Sequence, residues 1–250
     1  MSSRVGIVKL ATAAALGATL AGGAGALGAQ RTAAPEPDNL GQAKQAVQEY
    51  YGDREDAAGE HHASPGSAWD VDTDREVTGA RAYLQRRLAE GVPNPAIVLD
   101  VDDTSEVTYG WEAGRDFGFD EAAQREAIEK GVFEPIGHTR ELAQWAAGHG
   151  VRVYFITGRG ESLQDASLRN LAGEGFPSPA GAFFKPETHA PDYLPCGLDC
   201  STVEYKSGTR AHLESQGAHI VLNIGDQHSD LQGGHADKPV KLPNPMYYLP

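Results

Sequence analysis

Ala96-Ile97-Val98-Leu99-Asp100-Val101-Asp102-Asp103-Thr104 is the stretch that decides how this chain is read. Four apolar residues without helical spacing, closed by short acids and a threonine, describe a buried strand that opens into a polar loop. The pattern recurs twice downstream. Val151-Arg152-Val153-Tyr154-Phe155-Ile156 leads into Thr157-Gly158-Arg159, and His219-Ile220-Val221-Leu222-Asn223-Ile224 leads into Gly225-Asp226-Gln227-His228-Ser229-Asp230. A fourth strand is predicted over Ala182, Phe183 and Phe184, and helical patterns occupy residues 121–130, 139–147, 162–172 and 209–215. Strands alternating with helices predict an α/β fold on a parallel sheet. Ligands of such sheets sit outside the carboxyl ends of the strands. All three polar clusters stand at those ends, so they are expected to converge.

Upstream, Val77, Ala80, Leu84 and Leu88 recur at steps of three and four, predicting a helix over 70–90 that Pro93 and Pro95 end. A shorter helix is predicted over 40–51, and residues 52–66, with the paired His61 and His62, read as a solvated loop. The N-terminus reads as an address. Arg4 and Lys9 precede an uncharged run over 10–30 rich in Ala, Gly, Leu and Thr, and Ala24-Gly25-Ala26 offers small residues for cleavage. The run holds too little Leu, Ile, Val and Phe for a stable membrane anchor. No cysteine follows it to carry a lipid, and no Arg-Arg pair precedes it. Residues 1–29 are therefore expected to be a signal peptide for export, 30–39 a flexible leader and 40–250 the folded domain.

The 250 residues carry 21 Lys and Arg against 35 Asp and Glu, a net charge of −14. Nucleic-acid binding by counterion release needs a basic surface, so that class is excluded. Two cysteines exclude a disulfide-rich miniprotein and a four-cysteine metal site. An acidic protein that handles phosphate must supply its own local positive charge.

Convergence would put Asp100, Asp102, Asp226 and Asp230 in one crevice. Two such charges about 4 Å apart repel by about 4 kcal/mol at an effective dielectric near 20. A cation relieves this, and an oxygen-rich site of this kind suits Mg²⁺. Two aspartates one residue apart also permit a division of labour between a nucleophile and a general acid that becomes a base. Thr157 and Gly158 offer a hydroxyl and an unhindered amide to phosphate oxygens, helped by a helix dipole if a helix begins there. Lys206 supplies charge against aspartate and phosphate together. Such a set suffices for phosphoryl transfer.

These residues resemble the haloacid dehalogenase (HAD) superfamily. Asp100-Val101-Asp102-Asp103-Thr104 resembles its first motif, Ile156-Thr157-Gly158-Arg159 its second, Lys206 its third, and Gly225-Asp226 with Asp230 its fourth, in family order. IVLDVDDT, YFITGR, NIGDQHSD and the C-terminal KLPNPMYYLP are similar to the secreted acid phosphatases called class B, subfamily IIIB, the group that includes plant vegetative storage proteins. The resemblance runs from about residue 39 to 250. It implies a three-layer HAD-like Rossmannoid fold, a parallel sheet with a small helical cap or insert at about 105–137. It also implies a Mg²⁺-dependent acid phosphatase that hydrolyses small phosphomonoesters through a phosphoaspartate. Carried over, Asp100 is the nucleophile and Asp102 the general acid and base. Asp100, Asp226 and the Asp102 carbonyl hold the metal; Thr157, Gly158 and Lys206 bind phosphate; Asp230 orients metal waters or Lys206.

Other readings stand beside these. Some relatives are storage proteins, so a non-catalytic secreted binding or storage protein is the alternative; Asp100 favours activity. A nucleotide-preferring phosphatase is a further alternative. Arg159 reads as structural rather than as a phosphate ligand, and Asp103 as a residue behind the catalytic set or facing solvent. His228 reads equally as pocket rim or plain surface. Tyr109, Trp111, Phe117 and Phe119 read either as a substrate-selecting cap or as packing of the insert. Cys196 and Cys200 are expected to form a local disulfide in an exported chain, worth about 2 kcal/mol at most. Zinc is the weaker reading. Oligomeric state is not legible.

Overall fold

The computed structural model describes residues 36–249. The expected signal segment, residues 1–29, lies outside the described residues, as do positions 30–35 of the leader. Helix α1 (Leu40–Tyr51) begins where Asn39 accepts from the Gln42 amide, and it ends on Gly52, whose φ of 61° only glycine adopts freely. Helix α2 (Ala68–Ala89) follows its cap Ser67. Between them, where a loop is predicted, β1 (Arg54–Glu55) and β2 (His61–His62) pair as a short antiparallel hairpin. Its histidines are half-buried rather than solvated. His61 Nδ1 lies 2.9 Å from Asp53, while His62 has Asp56 and Glu134 at 3.5 and 3.3 Å. Carboxylates on both rings replace water.

Strand β3 (Pro95–Leu99) leads into an insert of β4 (Glu106–Val107), α3 (Tyr109–Ala113), α4 (Glu121–Lys130) and β5 (Glu134–Pro135), where β4 and β5 pair antiparallel. Its aromatics mainly pack. Tyr109 is fully buried and stacks on Tyr51 of α1 at 4.2 Å, Trp111 meets Phe133 edge-on, and Phe117 is half-buried. Phe119 is exposed. Beyond the insert come α5 (Gly137–Gly148), β6 (Arg152–Gly160), α6 (Gln164–Gly173), β7 (Gly181–Lys185), α7 (Thr202–Ser215), β8 (His219–Gly225), α8 (His228–Leu231) and β9 (Lys238–Lys241).

The sheet is five-stranded and parallel throughout, in the order β7-β6-β3-β8-β9. Ile97, Leu99, Val153 and Phe155 face α2 and α5, through Ala80, Leu84 and Leu142. Ala96, Val98, Tyr154 and Ile156 pack on the opposite side with Tyr205 and Leu213 of α7. Both faces are covered, which is why these strands read as unbroken apolar runs. Each such buried side chain contributes about 1.5–3 kcal/mol.

Beyond the hairpin, further elements differ from prediction. β6 continues through Thr157 to Gly160, with a register shift against β7 between Ile156 and Gly160, so no helix dipole starts at Thr157. α7 begins well before 209, because Ser201 and Glu204 form a capping box. β9 is unpredicted, since Pro239 argues against a strand; at a sheet edge a proline costs no ladder bond. Cys196 and Cys200 are joined, with Cα atoms 5.0 Å apart, in the segment before α7. No helix among the described residues is long and apolar enough to cross a membrane.

Candidate active site

Three adjacent strands build the site. Asp100 follows the central β3, Thr157 lies in β6 on one side, and Asp226 follows β8 on the other. Asp100 N donates to Ile224 O at 3.0 Å, carrying the sheet pairing one residue past the strand. The chain then turns sharply. Asp103 takes a left-handed φ of 49°, and Ser105 Oγ donates back to Asp100 O at 2.6 Å. A non-glycine residue in this region marks backbone held by its surroundings.

Lys206 from α7 centres the charge. Its Nζ lies 2.8 Å from Asp100 Oδ1, without hydrogen-bond alignment, and donates to Asp230 Oδ1 at 2.6 Å. Burial opposes the ammonium, but the two aspartates outweigh it and hold its pKa above the ordinary lysine range. Asp230 Oδ2 accepts from Gln227 N at 2.8 Å, so both its oxygens are engaged. A Cβ on Gly225 would come within 2.5 Å of Asp230 Cβ; glycine stands there because Asp230 needs the space.

Asp102 is gripped by Arg159. The guanidinium forks onto it through Nε at 3.1 Å and Nη2 at 2.7 Å, while Nη2 also donates to Glu106 Oε2 at 2.6 Å and Nη1 to Ser167 Oγ at 3.0 Å. The Phe133 ring lies 5.6 Å from the guanidinium carbon. Arg159 is therefore structural in a specific sense: what it holds is the acid expected to move the proton. Glu106, fully buried, is a partner that the sequence does not single out.

Behind this pair, Glu106 Oε1 and Glu174 Oε2 are buried without another donor, and the two carboxyls face each other. A single proton held between them would satisfy both oxygens. Burial, then the Glu106 charge, pushes Glu174 up to about 8 from its ordinary 4.5. Between these values the folded chain binds more protons than the unfolded chain, so this group's contribution to stability is lost as pH rises. Melting temperature, measured in a chelator, should fall from pH 5 to 8, and Glu174→Gln should flatten that slope. A melting temperature that climbs across this window would contradict the shared proton.

The other expected residues are placed as follows. Thr157 is buried, and its Oγ1 accepts from Arg159 N at 3.1 Å. Gly158 is exposed, with open space where a Cβ would stand, so crowding does not demand glycine there. His228 is exposed at the start of α8. Asp103 is fully buried rather than solvent-facing; its Oδ2 accepts from Thr108 Oγ1 at 2.6 Å and Tyr247 OH at 2.8 Å. Asn244 Nδ2 donates to Asp226 Oδ2 at 2.7 Å. The phrase carrying Asn244 and Tyr247 is visible in the sequence, but nothing local says which acids they reach.

The site is overfull of carboxylates. Asp100, Asp226 and Asp230 present oxygens all within 4.8 Å of one another. Burial lifts Asp100 well above the carboxylate range; Lys206 opposes this, and Asp230 and Asp226 add to it. Burial, then Asp230 and Asp103, pushes Asp226 up to about 7 against the donors Asn244 and Gln227. A buried acid set with Asp100 Oδ1 lacking a directed donor fits a divalent cation. Asp230 is engaged by Lys206 and Gln227, so the carboxylates with an oxygen left over for a cation are Asp100 and Asp226.

Comparison with known proteins agrees with this architecture. "Acid phosphatase 1" of Solanum lycopersicum is 30% identical over 199 residues, covering 76% of this chain and 72% of that protein. "Vegetative storage protein 1" of Arabidopsis thaliana is 29% identical, over 61% of this chain and 55% of its own. The class C acid phosphatase of Bacillus anthracis shares the fold, with a TM-score of 0.63 at 20% identity over 84% of this chain and 86% of that one. The family profile described as HAD superfamily, subfamily IIIB (Acid phosphatase), matches residues 30–250. The chain belongs to the acid phosphatases of HAD subfamily IIIB.

Proposed function

We propose that the protein is an exported, Mg²⁺-dependent phosphomonoesterase that works through a phosphoaspartate on Asp100. The observation that carries this reading is the buried contact of Lys206 with both Asp100 and Asp230, beside Asp226. Asp100 Oδ attacks phosphorus as the bond to the ester oxygen breaks. Asp102 delivers a proton to the departing oxygen, then takes one from the water that attacks the phosphoaspartate, and inorganic phosphate leaves. Lys206, with the Thr157 hydroxyl and the Gly158 amide, neutralises and orients the phosphoryl oxygens. Asp100, Asp226 and the Asp102 carbonyl would hold Mg²⁺, which supplies positive charge against the transferring phosphoryl group. Arg159 keeps Asp102 in place between the two steps.

Export over residues 1–29 accords with a Cys196–Cys200 disulfide, which persists in oxidising compartments. The storage-protein alternative draws on the relatives so named; a nucleophilic carboxylate paired with a buried lysine argues against it. One experiment tests export and metal together. Protein recovered outside an exporting host should begin between residues 27 and 31, hydrolyse p-nitrophenyl phosphate with Mg²⁺, and lose that activity on chelation. Full activity in a rigorously metal-free sample would sink the cation site, and an intact Met1 would sink export.

A further inference from the structure

Residues 243–249, the C-terminal segment, reach the acid cluster through several polar contacts. Two side-chain amides converge on one oxygen of Asp226: Asn244 Nδ2 donates to Oδ2 at 2.7 Å and Gln227 Nε2 donates to the same oxygen at 2.8 Å. An amide can present either its oxygen or its nitrogen, and the network decides which. Asn244 Oδ1 accepts from Met246 N at 2.9 Å, so its nitrogen must face Asp226. Gln227 Oε1 accepts from Leu249 N at 3.2 Å, so its nitrogen must face Asp226 as well, and it reaches Tyr247 O at 3.4 Å. Both orientations are set by backbone N–H groups of the same segment.

The segment is itself anchored. Trp69 of α2 donates to Pro243 O at 3.3 Å, Ser229 Oγ donates to Leu249 O at 3.3 Å, and Met246 packs against the cluster containing Tyr51 and Trp69. Asp226 Oδ1, in contrast, has among the described residues only a long 3.4 Å contact from Thr104 Oγ1. One oxygen is saturated and the other is open.

We infer that the C-terminal segment is a positioning element for the cation. By fixing the amides of Asn244 and Gln227, it commits Asp226 Oδ2 to protein donors and leaves Oδ1 as the oxygen for the metal. This rests on the proposed cation site. Groups that orient metal ligands typically change affinity about 10–100-fold when removed. Asn244 is thus a positioning residue, and Tyr247 belongs to the same strap through its hydroxyl on Asp103, an acid that keeps its Thr108 donors without it.

The test is direct Mn²⁺ binding to the purified protein, followed by electron paramagnetic resonance, with melting temperature in a chelator recorded alongside. Asn244→Ala should weaken Mn²⁺ binding at least about tenfold, while Tyr247→Phe should stay within about threefold of the parent. If Asn244→Ala does not fold, Gln227→Met removes the other donor and should show the same loss. A purely structural role would lower the metal-free melting temperature and leave the Mn²⁺ dissociation constant alone, which overturns the inference. So would parent-like binding by Asn244→Ala while Asp226→Asn loses it, and in that case the cation site itself stands. A parent that binds no Mn²⁺ overturns both.

Discussion

Asp100→Asn should abolish hydrolysis of every phosphate ester, lowering turnover by at least about four orders of magnitude, the scale of loss when a covalent nucleophile is removed. An amide is a poor nucleophile, and the neighbouring acids are committed elsewhere. Asp230 is spent on Lys206 and Gln227 N, and Asp102 is held by Arg159. The variant should stay folded. Lys206 retains Asp230 at 2.6 Å, and one of three crowded buried carboxylates loses its charge. The measurement is turnover on an aryl and an alkyl ester, with melting temperature as the control for folding. Turnover within about tenfold of the parent, in a folded variant, would remove Asp100 from the chemistry.

Asp102→Asn should separate the two esters. A p-nitrophenolate leaving group scarcely needs a proton, whereas the alkoxide of a sugar phosphate does. General acid assistance is worth about 10²–10⁴-fold, so the first phosphoryl transfer should slow by that factor for the alkyl ester and little for the aryl one. The second step needs a base to activate water, so phosphate should accumulate on Asp100 with either ester. Arg159 sharpens the experiment, because Asn can keep an oxygen toward the guanidinium and so preserve the local packing. Single-turnover kinetics on both esters, with mass mapping of the labelled peptide, provides the readout. Equal slowing of both esters, or phosphate on another residue, would reassign the proton.

Glu106 shows where sequence reading stops. It lies four positions past Asp102 and carries no motif, yet it is fully buried and holds the same arginine. Its neighbour Glu174 comes from the end of α6, and nothing in the spacing of the two acids announces that they meet. His61 and His62 fail in the opposite direction. A polar, Gly-flanked stretch reads as solvated loop, and only the approach of Asp53 and Glu134 takes its rings out of water. The early start of α7 was legible, since Ser201-Thr202-Val203-Glu204 is a capping-box signature.

The sequence by itself determined four of the sheet's five strands and the acids at their ends. Both follow from local rules: apolar runs buried on two faces must be parallel strands, and the polar residues that close them stand where such sheets bind ligands. Asp100, Asp102, Thr157, Asp226 and Asp230 could therefore be named before any coordinates; Lys206, on a helix, was named for its charge and by the family resemblance. Only the tertiary structure decided how those residues are held. Arg159 reaches Asp102 across 57 positions and Tyr247 reaches Asp103 across 144. Such pairings depend on how elements distant in the chain pack in space. Hydrogen bonding in a buried site is set by direction and distance, which neither composition nor spacing encodes.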